Sequence, residues 1–416
     1  MNPLNVNNSQ NLKPQFLKIQ KELSPIINLT DQQMMMMQTI KEREEVNALE
    51  FASGYYEKAT DELPVSLHFC YDAENKTVQS FVVPNKTRLY PKAYVGSGSY
   101  KIVKIAHEMN TGDKFVSKHS YLFSFANKDD VDIDVIEKDD SFKTAKAEVD
   151  LQKKVYGDKF QVSHNVFIGK KVRLKMFGPR KPDLFDQEVV KFVSFEPIFS
   201  TTMFDYLKLT RARYDKGHFQ NNDNVTAFQR EVENKFVKIL TCATKLHDLG
   251  YVHSDIKWEN INWDDGLLID FGLAESMDSY QIPTGTLETQ APLLCIYNNT
   301  DSPNIDLISQ ASKEAETGLC DAYSIAASFY PLVHGVEICP RSTHDMFFDF
   351  CKARCGIKPN AFEKSDPEDY SIPPRSQLWP AASTTLTRVL NAMIEPLPKN
   401  RMGVREALNQ MKKSLE

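Results

Sequence analysis

The sequence has little of what marks several common protein classes. Its seven cysteines form no C-x-x-C pair, so neither a zinc ribbon nor a disulfide framework is indicated. No uninterrupted apolar run is long enough to span a membrane, so no membrane span is predicted. The first residues lack the basic and apolar regions of a secretory signal. These absences predict a cytoplasmic protein, because thiols stay reduced there.

Positive charge is not in surplus either. The 50 Lys and Arg residues are outnumbered by 56 Asp and Glu residues, and the formal net charge is -6. Nucleic-acid-binding proteins usually carry an excess of Lys and Arg, so no nucleic-acid partner is predicted. The hydrophobic fraction is 41% of 416 residues, which is enough to form a substantial core.

Strand patterns fill much of the first half of the chain, and helical patterns fill the second half. A helix is predicted over 34–50 after the Thr30-Asp31 start signal, followed by a hairpin of 67–71 and 78–83. The acidic stretch 129–140 predicts an exposed loop, and a helix is predicted over 141–156. Strands are predicted at 166–176 and 188–195, and helices at 203–209, 225–249, 319–332, 383–393 and 404–413.

One short segment has the most specific chemistry. His253–Asn260 reads H-S-D-I-K-W-E-N, and Asp270 follows in I-D-F-G. Phosphoryl transfer needs a carboxylate near the attacking hydroxyl, oxygen ligands for Mg²⁺ and a cation near the moving phosphate. Asp255 fits the base, Lys257 fits the cation, and Asn260 and Asp270 fit the metal ligands. The tight turn at 263–267 predicts that Asn260 and Asp270 lie at the same end of a hairpin.

This segment resembles the catalytic and metal-binding loops of the eukaryotic-type protein kinase superfamily. The resemblance implies an α+β, two-lobed protein-kinase-like fold, with a β-rich N-lobe, a helical C-lobe and an N-terminal extension. It predicts an extension over 1–85, the N-lobe over 86–195 and the C-lobe over 196–416. It also implies ATP and Mg²⁺ as cofactors, with Mn²⁺ as an alternative metal, and protein substrates.

Other parts of the family pattern follow in the expected order. The run 94–103 resembles the glycine-rich loop that covers the ATP phosphates, and Lys118 resembles the strand lysine, with Glu148 as its partner and Asp150 as the fallback. Residues 193–198 resemble the hinge, with Phe195 as the gatekeeper beside the adenine. The residues implied to bind the nucleotide are Gly96, Ser97, Gly98, Ser99, Val103, Val116, Lys118, and the backbones of Glu196 and Ile198.

The C-terminal part continues the resemblance. Thr286 is similar to the threonine that bonds the catalytic aspartate in Ser/Thr kinases, and Lys257 two positions after Asp255 is typical of the same class. Asp321 resembles the start of the helix that supports the catalytic loop. Arg401 resembles the closing arginine of the domain.

Several positions depart from the pattern. Lys101 replaces the third glycine of the loop, and Ser254 replaces an arginine that normally receives an activation-loop phosphate. Activity independent of such phosphorylation is therefore predicted. Leu293 replaces the usual carboxylate partner of Arg401, for which Glu288 is the predicted substitute. Polar residues at two positions that are usually apolar, Asn262 and Gln152, weaken the expected nucleotide affinity.

Three functions remain open on the sequence. The first is a Ser/Thr protein kinase, which could be an effector that bacteria deliver into the host cytoplasm. The second is a small-molecule kinase of the aminoglycoside or choline phosphotransferase kind, and the third is a pseudokinase scaffold. The insertion at 293–320 is either a surface for a partner or a disordered loop, and the N-terminal extension is a second place where a partner or activator could bind.

Overall fold

The computed structural model of the protein describes residues 12–50, 55–57, 60, 62–72, 75–84, 92, 94–97, 101–122, 133–157, 163–173, 188–198, 201–279, 282, 285–300, 303, 305–338, 344–357, 379–380 and 382–416. The chain divides into two compact units, Met1–Ile198 and Phe199–Glu416. The first is built around a β-sheet and the second mainly from helices, which agrees with the predicted fold class. None of the described helices combines the length and apolar character needed to cross a bilayer.

The helices of the first unit begin where local signals place them. Their bounds are α1 Pro14–Leu23, α2 Asp31–Glu50, α3 Ile133–Ile136 and α4 Asp140–Tyr156. Thr30 and Gln33 form reciprocal side-chain to backbone hydrogen bonds at the start of α2, which is a capping-box arrangement. The carboxylate of Asp139 accepts the N–H of Phe142 and caps α4. The prediction of an exposed stretch over 129–140 is confirmed for Glu137 and Asp140, but the stretch is not one loop, because α3 occupies 133–136 and α4 begins at Asp140. Residues 129–132 lie outside the described residues.

Eight described strands of the first unit form one antiparallel sheet. Their bounds are β1 Tyr55–Glu57, β2 Val65–Asp72, β3 Thr77–Pro84, β4 Tyr94–Ser97, β5 Lys101–Glu108, β6 Lys114–Leu122, β7 Ser163–Arg173 and β8 Glu188–Pro197. The strand order is β1-β2-β3-β5-β6-β8-β7, and β4 pairs with β5. The predicted hairpin is confirmed as β2 and β3. It belongs to the same sheet as the strands after residue 90.

Helices α1 and α2 pack on β2 and β3 through a continuous apolar cluster. Phe16 and Ile19 of α1 and Met34 and Met37 of α2 are fully buried in it. Two of the four consecutive methionines therefore serve the core. This agrees with the preferred interpretation of the methionine run as ordinary helix packing.

The described part of the second unit consists mainly of helices, with two pairs of very short strands and one isolated bridge between Thr202 and Asn262. The helices are α5 Met203–Asp215, α6 Asn222–Asp248, α7 Pro292–Asn298, α8 Ile305–Glu316, α9 Leu319–His334, α10 His344–Arg354, α11 Thr384–Met393 and α12 Val404–Leu415. The short strands are β9 Tyr251–Val252, β10 Ile261–Asn262, β11 Leu267–Leu268 and β12 Glu275–Ser276. β10 pairs with β11, and β9 pairs with β12.

The stretch between residues 292 and 320 is largely helical. α7 and α8 occupy most of it, so the alternative of a disordered loop is wrong for the described residues. Pro292 at the first helical position starts α7, where its fixed φ is favourable. Ala311 and Ala315 on one side of α8 are buried, which explains why this segment folds as a helix despite its polar composition.

Candidate functional site

One buried carboxylate holds the backbone of residues 253–260, which we call the catalytic loop. Asp321 at the start of α9 accepts the N–H of His253 at 2.8 Å and the N–H of Ser254 at 3.0 Å. It also contacts Nε2 of His247 at 2.9 Å. Burial by itself raises the pKa of Asp321, but hydrogen bonds and charge from His247 and His253 outweigh burial, so the pKa lies below its ordinary value. Asp321 is therefore ionised at neutral pH and fixes the start of the loop.

The catalytic loop turns sharply at Ser254. Its φ of 70° lies in the left-handed region, which costs a non-glycine residue about 1–3 kcal/mol. The two backbone bonds to Asp321 help hold this conformation. Gly285 lies against the same turn, and a Cβ atom there would collide with the carbonyl oxygen of Ser254. Glycine at 285 thus lets the neighbouring Thr286 approach the loop closely.

Both oxygens of the Asp255 carboxylate accept hydrogen bonds. Oδ1 accepts the backbone N–H of Thr286 at 2.9 Å and its hydroxyl at 2.6 Å. Oδ2 accepts Nζ of Lys257 at 2.8 Å and Nδ2 of Asn260 at 3.1 Å. Lys257 also donates to the hydroxyl of Thr286 at 2.8 Å. The structure thus places three predicted residues, Lys257, Asn260 and Thr286, around the fixed carboxylate of Asp255.

A short hairpin places Asn260 and Asp270 at the same end, as predicted. The β10–β11 pairing aligns Ile261 with Leu268, and the N–H of Ile269 donates to the carbonyl of Asn260 at 2.8 Å. Asp270 follows directly with a left-handed φ of 62°. The Nδ2 atom of Asn260 donates to Asp255, which leaves its amide oxygen as the atom suited to a metal. An amide oxygen and a carboxylate are ligands that fit Mg²⁺.

The departure at Asn262 has a local explanation. This buried residue closes the β10–β11 turn, since its Oδ1 accepts the N–H of Asp264 at 3.1 Å and its Nδ2 donates to Asp265 at 3.0 Å. Its amide is thus hydrogen-bonded within the turn. The polar group therefore does not need a ligand to satisfy it.

In the first unit, Lys118 on β6 lies between two carboxylates. Its Nζ is 3.5 Å from Oε1 of Glu148 on α4 and 2.9 Å from Oε2 of Glu196 on β8. Glu148 is buried, whereas the fallback candidate Asp150 is partly exposed. Gln152, one helical turn after Glu148, donates to the same oxygen of Glu196 at 3.4 Å. Glu148 is thus the helix residue that meets Lys118, although Glu196 lies closer.

Strand register shows which residues share the face of Lys118. Residues that are directly opposite on antiparallel strands point to the same side. Val103 lies opposite Lys118, and Val116 lies opposite Glu196. Four of the residues predicted to bind the nucleotide therefore lie on one face of the sheet.

Phe195 lies on the other face. Its ring stacks on Phe81 with centroids 4.1 Å apart and meets His68 edge to face at 5.2 Å. The prediction that Phe195 borders the adenine beside Lys118 is therefore wrong. On the face of the sheet that carries Lys118, the buried side chain of Glu196 lies where Phe195 was predicted.

The remaining predicted nucleotide contacts belong to the glycine-rich loop and the hinge. Gly96 and Ser97 lie on β4, opposite Val103 and Ile102 of β5. Gly98 and Ser99 lie outside the described residues. The N–H of Ile198 is 3.5 Å from the carbonyl of Lys114 and continues the pairing of β8 with β6.

Arg401 pairs with a different carboxylate from the one predicted. Its guanidinium pairs with Glu314 of α8, and both side chains are fully buried. It also donates to the carbonyl oxygens of Glu395 and Pro396, at 2.7 Å each, and of Leu319 at 3.1 Å. Burial lowers the pKa of Arg401 to about 9, which still leaves it charged at neutral pH. The prediction of a substitute partner is right, but its assignment to Glu288 is wrong.

A fixed aspartate with a lysine beside it, and an amide and a carboxylate at one end of a hairpin, are the groups that phosphoryl transfer requires. The chain belongs to the protein kinase family, because the family model described as "Protein kinase domain" matches residues 185–411. Those residues include the catalytic loop, Asp270 and Arg401. Lys118 and Glu148 lie before the matched range, so their assignment depends on the motif order and on the geometry above.

A curated relative agrees with this family. The chain is 32% identical over 106 residues to the mouse protein Citron Rho-interacting kinase. The match covers 24% of this chain and 5% of that protein. The chain thus spans a small part of the length of this relative.

Proposed function

We propose that this protein kinase uses ATP and Mg²⁺ and transfers the γ-phosphate to Ser or Thr hydroxyls of protein substrates. The observation that supports this most strongly is the Asp255 carboxylate, which is fixed by Thr286 and Lys257. A carboxylate held in one orientation can accept the proton of an attacking hydroxyl without reorganisation during the reaction.

In this mechanism Asp255 is the general base that takes the proton from the substrate hydroxyl. Lys257, 2.8 Å from Asp255, supplies a positive charge next to the base, where it can stabilise the phosphoryl group in transfer. Thr286 keeps the carboxylate oriented through its N–H and its hydroxyl. The pairing of Lys257 with Thr286 is the feature that favours Ser/Thr over Tyr acceptors.

Asn260 and Asp270 are the residues proposed to hold Mg²⁺. Their donor set is an amide oxygen and a carboxylate, which suits a hard divalent cation, and the hairpin presents both at one end. Bound Mg²⁺ would neutralise charge on the ATP phosphates. Mn²⁺ accepts the same oxygen ligands and remains the alternative.

The first unit supplies the proposed nucleotide contacts. Lys118, with Glu148 on α4, is proposed to bind the α- and β-phosphates, and Val103 and Val116 are proposed to pack on the adenine. The backbone groups of Glu196 and Ile198, and the loop residues Gly96, Ser97, Gly98 and Ser99, complete the proposed set. The shared face of Val103, Val116 and Lys118 supports this assignment.

A reducing compartment such as the cytoplasm fits this function. Among the described residues, Cys70, Cys242, Cys295, Cys320, Cys351 and Cys355 are free thiols. If the protein is an effector that bacteria deliver into host cells, this compartment is the host cytoplasm. A partner or activator that binds the N-terminal extension or residues 293–320 stays a prediction.

The test is label transfer from γ-labelled ATP with Mg²⁺, into the protein itself and into a mixed protein extract. We expect Asp255→Asn to lower the rate by about 10²–10⁴-fold, which is the usual loss when a general base is removed. The matched control is Asp278→Asn, which removes an exposed carboxylate of the same unit and should leave the rate unchanged. Acid hydrolysis of the labelled product should yield phosphoserine or phosphothreonine.

Other outcomes would contradict the proposal in distinct ways. Phosphotyrosine as the main product would overturn the Ser/Thr assignment. Label found only on a purified metabolite would favour the small-molecule kinase. ATP binding without transfer to any acceptor would favour the pseudokinase.

A further inference from the structure

A second lysine also pairs with the helix carboxylate assigned to Lys118. Lys101, at the start of β5, places its Nζ 2.5 Å from Oε2 of Glu148. Lys118 is 3.5 Å from the other oxygen of Glu148 and 2.9 Å from Glu196. Glu148 therefore makes its shorter ion pair with the lysine that replaces the third glycine of the loop.

The sheet directs Lys101 and Lys118 to the same side. Val103 lies opposite Lys118 across the β5–β6 pair, and Lys101 is two residues before Val103 on the same strand. Glu148 and Gln152, one helical turn apart on α4, both contact residues on this face. Lys101 thus belongs to the same polar cluster as the proposed phosphate-binding lysine.

The charge of the cluster depends on Lys101. In the ion pairs that the structure describes here, two lysines, Lys101 and Lys118, face two carboxylates, Glu148 and Glu196, so these four side chains together are neutral. Without Lys101 the cluster would carry one net negative charge on the face proposed to meet the nucleotide. A buried negative charge is costly and repels phosphate groups.

Burial indicates which lysine is accessible to a ligand. The side chain of Lys101 is 25% exposed, compared with 12% for Lys118, 6% for Glu148 and 2% for Glu196. Lys101 is therefore the member of the cluster with the most accessible side chain. It also lies within the run 94–103, which resembles the loop that covers the ATP phosphates.

We propose that Lys101 is a second phosphate-binding lysine. Its positive charge compensates for the charge of Lys118 that the ion pair with Glu196 neutralises. The inference rests on the proposed function, since it assumes that the ligand is ATP. The predicted role is electrostatic and specific to the phosphates. Binding of the adenine and ribose groups does not depend on it.

The test compares the dissociation constants of ATP and adenosine, measured by calorimetry on the full chain. We expect Lys101→Met to weaken ATP binding roughly 10- to 100-fold, the loss expected for one charge-assisted contact, and to leave adenosine binding unchanged. The matched control is Lys146→Met, which removes an exposed lysine of α4 two residues before Glu148. That variant should bind ATP like the unaltered protein.

A second pair of variants tests the charge argument independently. Glu196→Gln alone should tighten ATP binding, because the cluster gains one net positive charge. Adding Glu196→Gln to Lys101→Met restores neutrality and should recover a large part of the lost ATP affinity. This prediction still tests the inference if Lys101→Met alone folds poorly.

Two results would overturn the inference. One is that Lys101→Met binds ATP as tightly as the unaltered protein, or more tightly, which would make Lys101 a competitor for Glu148. The other is an equal loss of ATP and adenosine affinity without recovery in the double variant, which would indicate a purely structural role. Failure of the unaltered protein to bind ATP would instead refute the proposed function itself.

Discussion

Replacing Glu314 by Gln should destabilise the second unit substantially. The change keeps the shape of the side chain but removes the charge that faces Arg401. Both side chains of this pair are fully buried, so water cannot solvate the guanidinium left behind. Removing one partner of a buried ion pair typically costs about 3–5 kcal/mol. The three backbone carbonyls around Arg401 remain, so we expect a value near the lower limit, about 3 kcal/mol.

Urea denaturation followed by tryptophan fluorescence is a suitable assay. All three tryptophans, Trp258, Trp263 and Trp379, belong to the second unit, so fluorescence reports its unfolding selectively. The control is Glu316→Gln, which removes an exposed carboxylate from the same helix. Exposed substitutions usually change the free energy of unfolding by less than about 0.5 kcal/mol.

The prediction is refuted if Glu314→Gln lowers the free energy of unfolding no more than Glu316→Gln does. It would mean that the carbonyl oxygens alone compensate the charge of Arg401. In that case α8 would not serve as the anchor that replaces the carboxylate missing at Leu293.

Gly285 in the second unit and His107 in the first are two more positions where a single substitution has a defined expected effect. Gly285→Ala should lower the transfer rate roughly 10²-fold, because its methyl group pushes Thr286 away from Asp255. Steady-state kinetics measures the rate. An unchanged rate would show that catalysis does not need Thr286 to lie so close to Asp255. Burial lowers the pKa of His107 to about 4, so the unfolded chain binds a proton before the folded one as pH falls, and stability is lost on acidification. In urea denaturation monitored by circular dichroism, the free energy of unfolding should fall by about 2 kcal/mol between about pH 7.5 and pH 5. The variant His107→Gln should lose much less over the same range. An equal loss in that variant would assign the effect to other groups.

Much of the local structure could be predicted because its causes are local. The β2–β3 hairpin follows from two strand-like runs around a polar turn, and α2 follows from its capping signal. The catalytic loop could be predicted because its chemistry lies within eighteen consecutive residues, His253–Asp270. In such a short motif, residues that are close in the sequence determine most of the local conformation.

The contacts that could not be predicted join distant parts of the sequence. Glu314 and Arg401 are 87 positions apart, and no local pattern of residues indicates that α8 reaches the C-terminal arginine. The face of Phe195 depends on the register between β6 and β8, which no local pattern specifies. Lys101 was identified as a departure, but its contact with Glu148 requires the position of α4 on the sheet.

The continuous sheet has a consequence for how the chain can be divided. β3 covers the edge of β5 next to Val82, and Phe81 stacks on Phe195 across the core of the sheet. A fragment cut at residue 86 would keep every recognisable motif but would expose a bare strand edge and an uncovered aromatic surface, both of which promote aggregation. We therefore expect a well-behaved first unit to need the hairpin before residue 86 as well as the signature residues after it.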